Sequence, residues 1–472
     1  MYSVMFRRSV SVFLASVCSA AFVAGALVAA PAGGATNAAV PIVAGQPALV
    51  AAGDYLLTVN GLAASATTLG LVGQKIGGVG ALLRNVDFSI GTVPSNVTAQ
   101  VRVVGPTDVF NITTRSAPAH WSSITLTPAT WGFVARGTAI TSPTSSNVIW
   151  HGVNTPALHN TNYTSLFTAF PKAGAVRIIV SEECWDTYFT AAQQTTTCQS
   201  NDANGLTGAA AYQAWVDQAV VGITGAGRMA MLAVDWAGRD NPNWIPKAQT
   251  DLFGPDQQSL VVYQQLAQKY AGNPLVVFET TNEPKMNPTK IYGPNQIIGS
   301  LLWRSGGPMI MDNIRWNEPG VQQIVNQVRS AGANNLVLVN ALSWGENLLP
   351  IKSNPILGPN VAYSYHGYRA PDNAASYPPM WDTQIKPLID PAGAYAYASV
   401  LSEFGTAQVD QAPPTFAQGS AYLQSCINWA VKSGSSWLGN GWYPISWGQY
   451  GLLNSLVPLS LTSRGKTVAK NF

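Results

Sequence analysis

The chain has 472 residues, more than a single hydrophobic core usually holds, so we expect one large domain and a smaller one. Charged residues make up 10% of the chain and hydrophobic residues 47%, and the formal net charge of +3 comes from scattered basic residues. This composition predicts a folded protein with a weakly charged surface. Because there is no run of like charge, a neutral partner is favoured and a nucleic-acid partner is not expected.

The first 35 residues have the pattern of a secretory signal. Arg7 and Arg8 precede an apolar stretch from Val10 to Ala30, and small residues follow. Signal peptides have this order of basic, apolar and small residues. A membrane anchor is the alternative, but Ala, Ser and Gly dilute the stretch and no basic cluster follows it. We therefore predict cleavage, export to the extracellular space or the periplasm, and no membrane contact afterwards.

Short alternating segments follow a linker that we predict over residues 36–50. Between residues 51 and 146, stretches such as DYLLTVNG and SNVTAQVRVVG alternate apolar and polar residues and are separated by Gly, Pro, Ser and Asn. Such alternation is typical of antiparallel strands with one buried face. The sequence therefore predicts a small β-rich, sandwich-like N-terminal module over residues 51–146.

After residue 146 the pattern changes to a repeating unit of an apolar strand followed by an amphipathic helix, and eight such strands are predicted. The predicted strands are residues 147–154, 175–181, 228–236, 275–284, 335–344, 361–368, 397–405 and 434–442. Strands buried on both faces appear as continuous apolar runs, and eight of them alternating with helices favour a closed (β/α)8 TIM barrel. We predict an α/β fold in which residues 147–472 form this barrel.

Two glutamates close predicted barrel strands. Glu283 lies in the stretch FETTNEP and Glu403 in LSEFG. In such barrels the reacting groups lie at the carboxyl ends of the strands. Hydrolysis of a glycosidic bond uses one carboxyl group as an acid and a second as nucleophile or base. This pair therefore indicates a glycoside hydrolase.

The motifs FETTNEP, YSYHGY and LSEFG, in this order, resemble those of the cellulase-type glycoside hydrolase family 5 over roughly residues 147 to 460. The resemblance implies that Glu283 is the acid/base, that Glu403 is the nucleophile and that the anomeric configuration is retained. Electrostatics favours the same roles, since an ionised Glu403 roughly 5 to 5.5 Å away is expected to raise the pKa of Glu283. Once the sugar esterifies Glu403, Glu283 can act as the base that activates water.

The resemblance also implies two polar contacts close to this pair. Arg177, on the second strand, would contact Glu403 and favour its charged form, the alternative being a salt bridge elsewhere in the barrel. Asn282 would contact the 2-hydroxyl of the sugar, and its alternative is to tie the backbone at the strand end.

Three further positions complete the implied site. His366 and Tyr368 alternate with Gly367, so both side chains point to one side of the sixth strand, near the scissile bond. A histidine buried for packing is the competing interpretation of His366. Trp437, on the last strand, would be an aromatic floor beneath the reacting sugar, with Trp442 as its rival.

Two other carboxyl groups call for separate interpretations. Glu318 belongs to a second Asn-Glu-Pro, in which we predict that Asn317 caps a helix and that Glu318 and Pro319 lie in its first turn. Glu279 shares strand parity with Glu283, but four residues of strand separate the two by about 13 Å. We therefore predict that Glu279 is a buried, hydrogen-bonded structural carboxylate.

One departure from the family pattern follows the third predicted strand. Trp236 comes after Asp235, where the family commonly has a histidine, so the identity of the bound sugar stays open. Trp236, Trp344 and Trp381 either line further subsites or belong to the core.

Three cysteines remain after removal of the predicted signal. Cys184 and Cys198 bracket one loop, and in an exported chain they are the predicted disulfide, which would contribute about 3 kcal/mol. Cys426 lies in a helix pattern and is expected to be a buried, small apolar residue.

Together these observations predict an exported, retaining β-glycoside hydrolase that cleaves a neutral β-linked glucan or mannan. We expect a monomer without cofactor, and no metal site, because the histidines lack metal-ligand spacing. A β-glucosidase or transglycosylase with the same carboxyl pair is one alternative. A carbohydrate-binding surface protein without catalysis is the other.

Overall fold

A computed structural model describes the chain in segments. The described residues are 40–41, 48–50, 53–63, 67–75, 83–90, 95–103, 108–114, 119–128, 132–142, 145–155, 163–185, 208–235, 254–284, 296–311, 314–369, 381–390, 392, 395–406, 416–443, 451–456 and 458–472. The predicted signal peptide, most of the predicted linker, Cys198 and Trp236 lie outside the described residues.

The strands before residue 131 pair into two antiparallel four-stranded sheets. They are β1 (Val40–Pro41), β2 (Ala48–Val50), β3 (Gly53–Ala63), β4 (Thr67–Lys75), β5 (Leu83–Ile90), β6 (Ser95–Val103), β7 (Asp108–Thr114) and β8 (Ala119–Pro128). The strand orders are β1-β8-β3-β6 and β2-β7-β4-β5. That these sheets form a sandwich, and that domains meet at residues 50/51 and 146/147, stay predictions.

A hairpin follows, formed by β9 (Val134–Arg136) and β10 (Ala139–Thr141). Phe133, just before the hairpin, and Ile140, within β10, are buried in one core cluster with the barrel residues Met231 and Leu338. The side chain of Asn360 ties the hairpin to the start of a barrel strand, since it accepts from the N–H of Ala135 at 2.8 Å and donates to the carbonyl of Phe133 at 2.9 Å. The hairpin therefore covers the amino end of the barrel.

Eight parallel strands close into the predicted barrel. They are β11 (His151–Thr155), β12 (Ala175–Ser181), β13 (Met229–Asp235), β14 (Val276–Glu279), β17 (Val337–Asn340), β18 (Val361–Arg369), β19 (Ser399–Thr406) and β20 (Ser436–Asn440). Between them a hairpin is formed by β15 (Gly306–Met311) and β16 (Ile314–Pro319), and another, β21 (Leu453–Leu456) with β22 (Leu459–Leu461), follows the barrel. Every residue of β12 and β19 is buried, as expected for strands covered on both faces. The predicted barrel and its eight strands are confirmed.

Helices cover the outside of the barrel. They are α1 (Tyr163–Ala169), α2 (Glu182–Trp185), α3 (Gly208–Gly225), α4 (Gln257–Tyr270), α5 (Gln296–Ser305), α6 (Val321–Ser330), α7 (Leu342–Gly345, a single irregular turn in the loop after β17), α8 (Lys386–Ile389), α9 (Phe416–Lys432) and α10 (Ser463–Lys470), with a 3-10 turn (Leu349–Lys352) and a π-helical turn (Trp381–Ile385). Asp256 caps α4 by accepting from the N–H groups of Gln258 and Ser259. Within the described part of the chain, these helices are too short or too polar to cross a membrane.

The second Asn-Glu-Pro differs from its prediction. Asn317 and Glu318 belong to β16, where Glu318 pairs with Gly307, and the N-cap of α6 is Gly320. The predicted capping role of Asn317 is therefore wrong, because the backbone before Gly320 is committed to the hairpin. Glu318 is buried, and burial raises its pKa well above its usual value.

Candidate active site

The two predicted catalytic glutamates meet at the carboxyl end of the barrel. Glu283 lies just beyond β14 and Glu403 lies on β19. One oxygen of each, together with a ring nitrogen of His366, lies within 4.8 Å of the other two atoms. This distance suits the about 5 to 5.5 Å separation of a retaining pair, not the longer separation of an inverting pair. The Glu283 side chain is 23% exposed and that of Glu403 is 8% exposed, so neither is sealed off.

A bulge in β19 turns Glu403 toward the barrel axis. Along β18, Tyr365 pairs with Leu401 but the next residue, His366, pairs with Glu403, so Ser402 is an extra residue. Leu401 belongs to the core cluster between strands and helices. The extra residue shifts the alternation of side chains and allows Glu403 to point inward, as bulges near active sites commonly do.

Four donors hold the Glu403 carboxylate. Oε2 accepts from Nη1 of Arg177 and from Nδ2 of Asn154, both at 2.6 Å. Oε1 accepts from Nδ2 of Asn440 at 3.1 Å and from the hydroxyl of Tyr368. Burial, and after it the charge of Glu403, raises the pKa of Tyr368 well above its usual value, so the phenol keeps the proton that it donates. The carboxylate is therefore fixed in orientation by groups on four other strands.

The buried Arg177 guanidinium joins both carboxylates of the barrel interior. Its Nε donates to Oε2 of Glu279 and its Nη2 to Oδ1 of Asn282, the latter at 2.6 Å. The predicted contact with Glu403 and the alternative salt bridge are thus both present. Burial opposes ionisation of Glu279, but Arg177 and hydrogen bonds from side chains outweigh it and lower the pKa of Glu279. Glu279 is confirmed as a buried, hydrogen-bonded carboxylate.

Asn282 is held on its other side by Asp235. Nδ2 of Asn282 donates to Oδ2 of Asp235 at 2.9 Å, and the N–H of Asn282 donates to the carbonyl of Val234 at 2.8 Å. The two roles predicted for Asn282 are a contact with the sugar and a tie at the strand end. The described contacts tie its side chain to β12 through Arg177 and to β13 through Asp235. Its contact with a sugar stays a prediction.

His366 connects Glu283 to the barrel interior. Nδ1 of His366 lies 2.9 Å from Oε1 of Glu283, and Nε2 lies 3.1 Å from Nδ2 of Asn340. Burial lowers the pKa of His366 to about 4, although the charges of Glu403 and Glu279 oppose it, so the ring is neutral near pH 7. Glu283 itself has a φ of 44°, a left-handed conformation that non-glycine residues rarely adopt.

A short loop after β17 places an exposed tryptophan beside Glu283. Ser343 and Trp344 have φ values of 56° and 57°, and the N–H of Trp344 donates to the carbonyl of Pro284 at 3.2 Å. Trp344 is 41% exposed, whereas Trp381 is buried in the core. Of the two roles predicted for these tryptophans, Trp381 has the core role and Trp344 is accessible to a ligand.

The same loop brings a third carboxyl group to the site. Glu346 accepts from the backbone N–H of Tyr368, yet burial and, to a smaller extent, the charge of Glu283 raise its pKa to about 7. Before it, Gly345 has a φ of 77°, and a Cβ there would lie 2.7 Å from Cγ of His366. Only glycine fits against this face of the imidazole ring.

Trp437 is not in the site. It is buried between His151, with ring centroids 4.8 Å apart, and Phe472, with centroids 5.3 Å apart. Because side chains alternate along a strand, Trp437 points to the helix layer while Asn440 points to the barrel axis. The prediction of an aromatic floor at Trp437 is therefore wrong, and the rival Trp442 is also buried.

Sequence reasoning missed three asparagines that donate within the site. They are Asn154, Asn340 and Asn440, and each lies at or next to the carboxyl end of its strand. The signal was present, since an asparagine ends the apolar run of each of these predicted strands. A polar amide directly after a buried strand of a barrel points into the reacting layer.

The predicted disulfide is not decided by the described residues. Cys184 is buried in α2, and Cys198 lies outside the described residues, so their pairing stays a prediction. Cys426 is buried in α9, as expected.

Among the described residues, Glu283, His366 and Glu403 are also a group with spacing that suits a metal ion. Their surroundings disfavour a cation, because both Glu403 oxygens already accept two hydrogen bonds each and the Arg177 charge is in contact with Oε2. The Glu403 oxygens are therefore already engaged by protein donors.

Fold and site together define a (β/α)8 barrel protein with two facing carboxyl groups at the carboxyl ends of its strands. The sequence model of cellulase (glycosyl hydrolase family 5) matches residues 141–445. The chain belongs to this family of glycoside hydrolases.

Several known proteins are similar to this chain. Endoglucanase N of Pectobacterium atrosepticum is 24% identical over 209 residues, which are 44% of this chain and 37% of that protein. The manganese dependent endoglucanase Eg5A of Phanerodontia chrysosporium is 24% identical over 188 residues, 36% of this chain and 42% of that protein. The matches thus span less than half of these relatives.

Among solved structures, the β-glucanase SdGluc5_26A of Saccharophagus degradans superposes with a TM-score of 0.52 at 15% identity, covering 72% of this chain and 93% of that one. Its complex with cellotetraose gives the same TM-score at 14% identity, covering 73% and 93%. At this identity the likeness shows the barrel fold.

Proposed function

We propose that this protein is a retaining β-glycoside hydrolase that cleaves a β-linked glucan, with Glu283 as acid/base and Glu403 as nucleophile. The observation that carries the proposal is the approach of their oxygens to within 4.8 Å at the carboxyl end of the barrel. The glucan assignment is supported by the names of the relatives, which are endoglucanases, and by a similar barrel solved with cellotetraose.

In the first half-reaction, an oxygen of Glu403 attacks the anomeric carbon while Glu283 gives its proton to the glycosidic oxygen. The carbon–oxygen bond to the leaving sugar breaks, and an ester bond to Glu403 forms. Arg177 and Asn154 on Oε2 and Tyr368 on Oε1 keep the carboxylate oriented during this approach. Such preorganised donors lower the barrier because they need not reorient as charge moves.

In the second half-reaction, Glu283 has lost its proton and takes one from water. The hydroxide so formed attacks the anomeric carbon and releases Glu403, which restores both groups and the original configuration. Glu283 is suited to this exchange because it is the more exposed of the two side chains, at 23% against 8%.

Trp344 is the proposed platform for the leaving part of the glucan. Its exposed ring lies on a loop that is held next to the acid/base, because the N–H of Trp344 donates to the carbonyl of Pro284. The C–H faces of a pyranose pack well on an aromatic plane, and no charge is needed for this contact.

Export is proposed as well, on the pattern of the first 35 residues, and is tested by N-terminal sequencing of the protein from culture medium.

The test is a set of three glutamate variants assayed on a panel of β-glucans and β-mannans. Glu403→Gln is expected to abolish turnover, and Glu283→Gln to lower kcat by about 10² to 10⁴. Glu318→Gln is the matched control, since Glu318 lies in the second Asn-Glu-Pro but is buried away from this pair. NMR of the first product formed is expected to show the β-anomer.

Other outcomes select the alternatives. Inversion of configuration would refute the nucleophile assignment, and equal activity of the Glu318→Gln and Glu403→Gln variants would refute the site. Release of single terminal sugars would indicate a β-glucosidase, and dominant transfer products a transglycosylase. Binding without any release of reducing sugar from glucan or mannan would support the alternative of a carbohydrate-binding protein without catalysis.

A further inference from the structure

We infer that Asn340 is a positioning residue: it fixes the tautomer of His366 with the proton on Nδ1, and so places the transferable proton of Glu283 on Oε2. The inference rests on the proposed function of Glu283. It concerns a chain of side chains that runs from β14 through β17 and β18 to the acid/base, namely Glu279, Asn340, His366 and Glu283.

The orientation of the Asn340 amide is set by Glu279. One end of the amide faces two atoms, Oε1 of Glu279 at 3.3 Å and Nε2 of His366 at 3.1 Å. Glu279 is fully buried and carries the Arg177 guanidinium on its other oxygen, so it is an ionised acceptor. An amide turned the other way would press its carbonyl oxygen against this carboxylate. The end that faces both atoms is therefore Nδ2, which can only donate.

The tautomer of His366 follows from this donor. Nε2 must accept from Asn340, because an N–H there would face another N–H. The ring is neutral and carries one proton, which is then on Nδ1, 2.9 Å from Oε1 of Glu283. Oε1 accepts this hydrogen bond. The proton that Glu283 gives to the leaving oxygen therefore resides on Oε2.

The opposite tautomer would change the acid. With the proton on Nε2, Nδ1 would accept from Glu283, and the carboxyl proton would be held by the imidazole and not by the substrate. The ring cannot turn away from this contact, because it is buried and packed against Gly345, where even a methyl group would lie 2.7 Å from Cγ. The charged groups that face His366 are Glu279, Glu283, Glu403 and Arg177.

Asn340→Leu tests the inference because it removes the donor at nearly the same side-chain volume and adds no charge beside Glu279. With no N–H facing Nε2, we expect the proton of the neutral His366 ring to move to Nε2, toward the Glu279 carboxylate, and Glu283 to donate to Nδ1. We expect kcat/KM for a cello-oligosaccharide, which needs its leaving group protonated, to fall about 10²-fold. For dinitrophenyl β-cellobioside, a leaving group that needs no proton, we expect a change of about threefold or less. The pH–rate limb assigned to the acid is expected to shift for the first substrate.

Asn335→Leu is the matched control. Asn335 is a buried asparagine just before β17, and its Nδ2 donates to the carbonyls of Asn273 and Val276, both at 2.9 Å, away from the carboxyl pair. It is expected to lose stability without a difference between the two substrates. Equal losses on both substrates in Asn340→Leu would overturn the inference, as they would mean a structural role.

The tautomer is also read directly in the wild-type protein. With four histidines in the chain, nitrogen-labelled histidine and a His366→Gln reference spectrum identify the ring of His366. We expect a protonated Nδ1 and an unprotonated Nε2, and the reverse pattern would overturn the inference even if Asn340→Leu fails to fold. Failure of the wild-type protein to hydrolyse either substrate would refute the proposed function instead, while the spectrum still decides the tautomer.

Discussion

Arg177→Lys separates the geometry of the buried guanidinium from its charge. In the structure three nitrogens of Arg177 donate to three different side chains, Glu279, Glu403 and Asn282. Lysine keeps the charge but concentrates its donors on one atom at the end of a flexible stem. A single Nζ cannot reach acceptors that are spread around a planar fork. At least one buried carboxylate is therefore left without one of its donors.

The magnitude follows from the strength of the hydrogen bond that lysine cannot make. A hydrogen bond to a charged group contributes about 1.5 to 3 kcal/mol. If the missing bond is the one to Glu403, and it is needed in the transition state, kcat/KM falls by about 10- to 150-fold. The bond from Nη1 to Glu403 is 2.6 Å long in a site with little exposure, which favours the upper part of this range.

Steady-state kinetics and urea unfolding are measured on Arg177→Lys and on Arg329→Lys as a matched control. Arg329 also makes several hydrogen bonds, among them part-buried ones to the carbonyls of Ala333 and Asn335 at 2.9 Å, and lies on α6 outside the site. Its lysine variant is expected to lose stability and keep kcat/KM. An Arg177→Lys variant within threefold of wild-type kcat/KM, or equal losses of activity in both variants, would refute the reasoning.

Three further predictions concern residues around the barrel. Trp344→Ala is expected to raise KM for cello-oligosaccharides about two- to tenfold with little change in stability. Trp437→Ala is expected to lower the free energy of unfolding by about 3 to 5 kcal/mol. The reverse pattern would restore Trp437 as the aromatic floor of the site. Because burial raises the pKa of Glu346 to about 7, the unfolded chain loses this proton first as pH rises, so stability falls between the unfolded and folded pKa values. Glu346→Gln removes that loss. In urea unfolding, the free energy of unfolding of the variant, relative to that of wild type, is expected to rise by about 1 to 3 kcal/mol between about pH 5 and about pH 8. A difference between the two proteins that stays constant with pH would contradict this. Phe133→Ala uncovers the amino end of the barrel and is expected to lower the free energy of unfolding by about 3 to 5 kcal/mol. The control Val221→Ala, at an exposed position, is expected to lower it by about 0.5 kcal/mol or less. Similar values for both variants would mean that the hairpin does not seal the core.

The barrel is predictable from sequence because its strands are buried on both faces. Runs such as AVRIIVS and SVLSEFG have no polar alternation, and the structure buries every residue of β12 and β19. The positions of Glu283 and Glu403 follow from the rule that reacting groups lie at strand ends. Sequence alone could not show the bulge at Ser402, which depends on the register of β19 against β18.

Both errors arise from tertiary pairing, which local sequence patterns do not show. Residue type and strand favour Trp437 as the floor, but the parity of β20 sends it to the helix layer and brings Asn440 to the axis. The helix signals after Asn317 predict a cap there, yet pairing across β15 and β16 extends to Pro319. Local patterns identify an element, and tertiary pairing decides which of its residues faces the site.

The charge balance of the site explains why neutral amides supply so many of its donors. Arg177 faces Glu279, Glu403 and Glu283, three carboxyl groups for one guanidinium. With Glu283 protonated, as proposed, the charges of Arg177, Glu279 and Glu403 sum to −1, which favours the positive charge that develops on the sugar in the transition state. Further arginines in place of Asn154 and Asn440 would cancel this charge. The amide donors of Asn154 and Asn440 orient Glu403 without cancelling the negative charge. Esterification of Glu403 then brings the sum of charges to zero. Glu283 can therefore release its proton to the leaving sugar without two negative charges being left in contact.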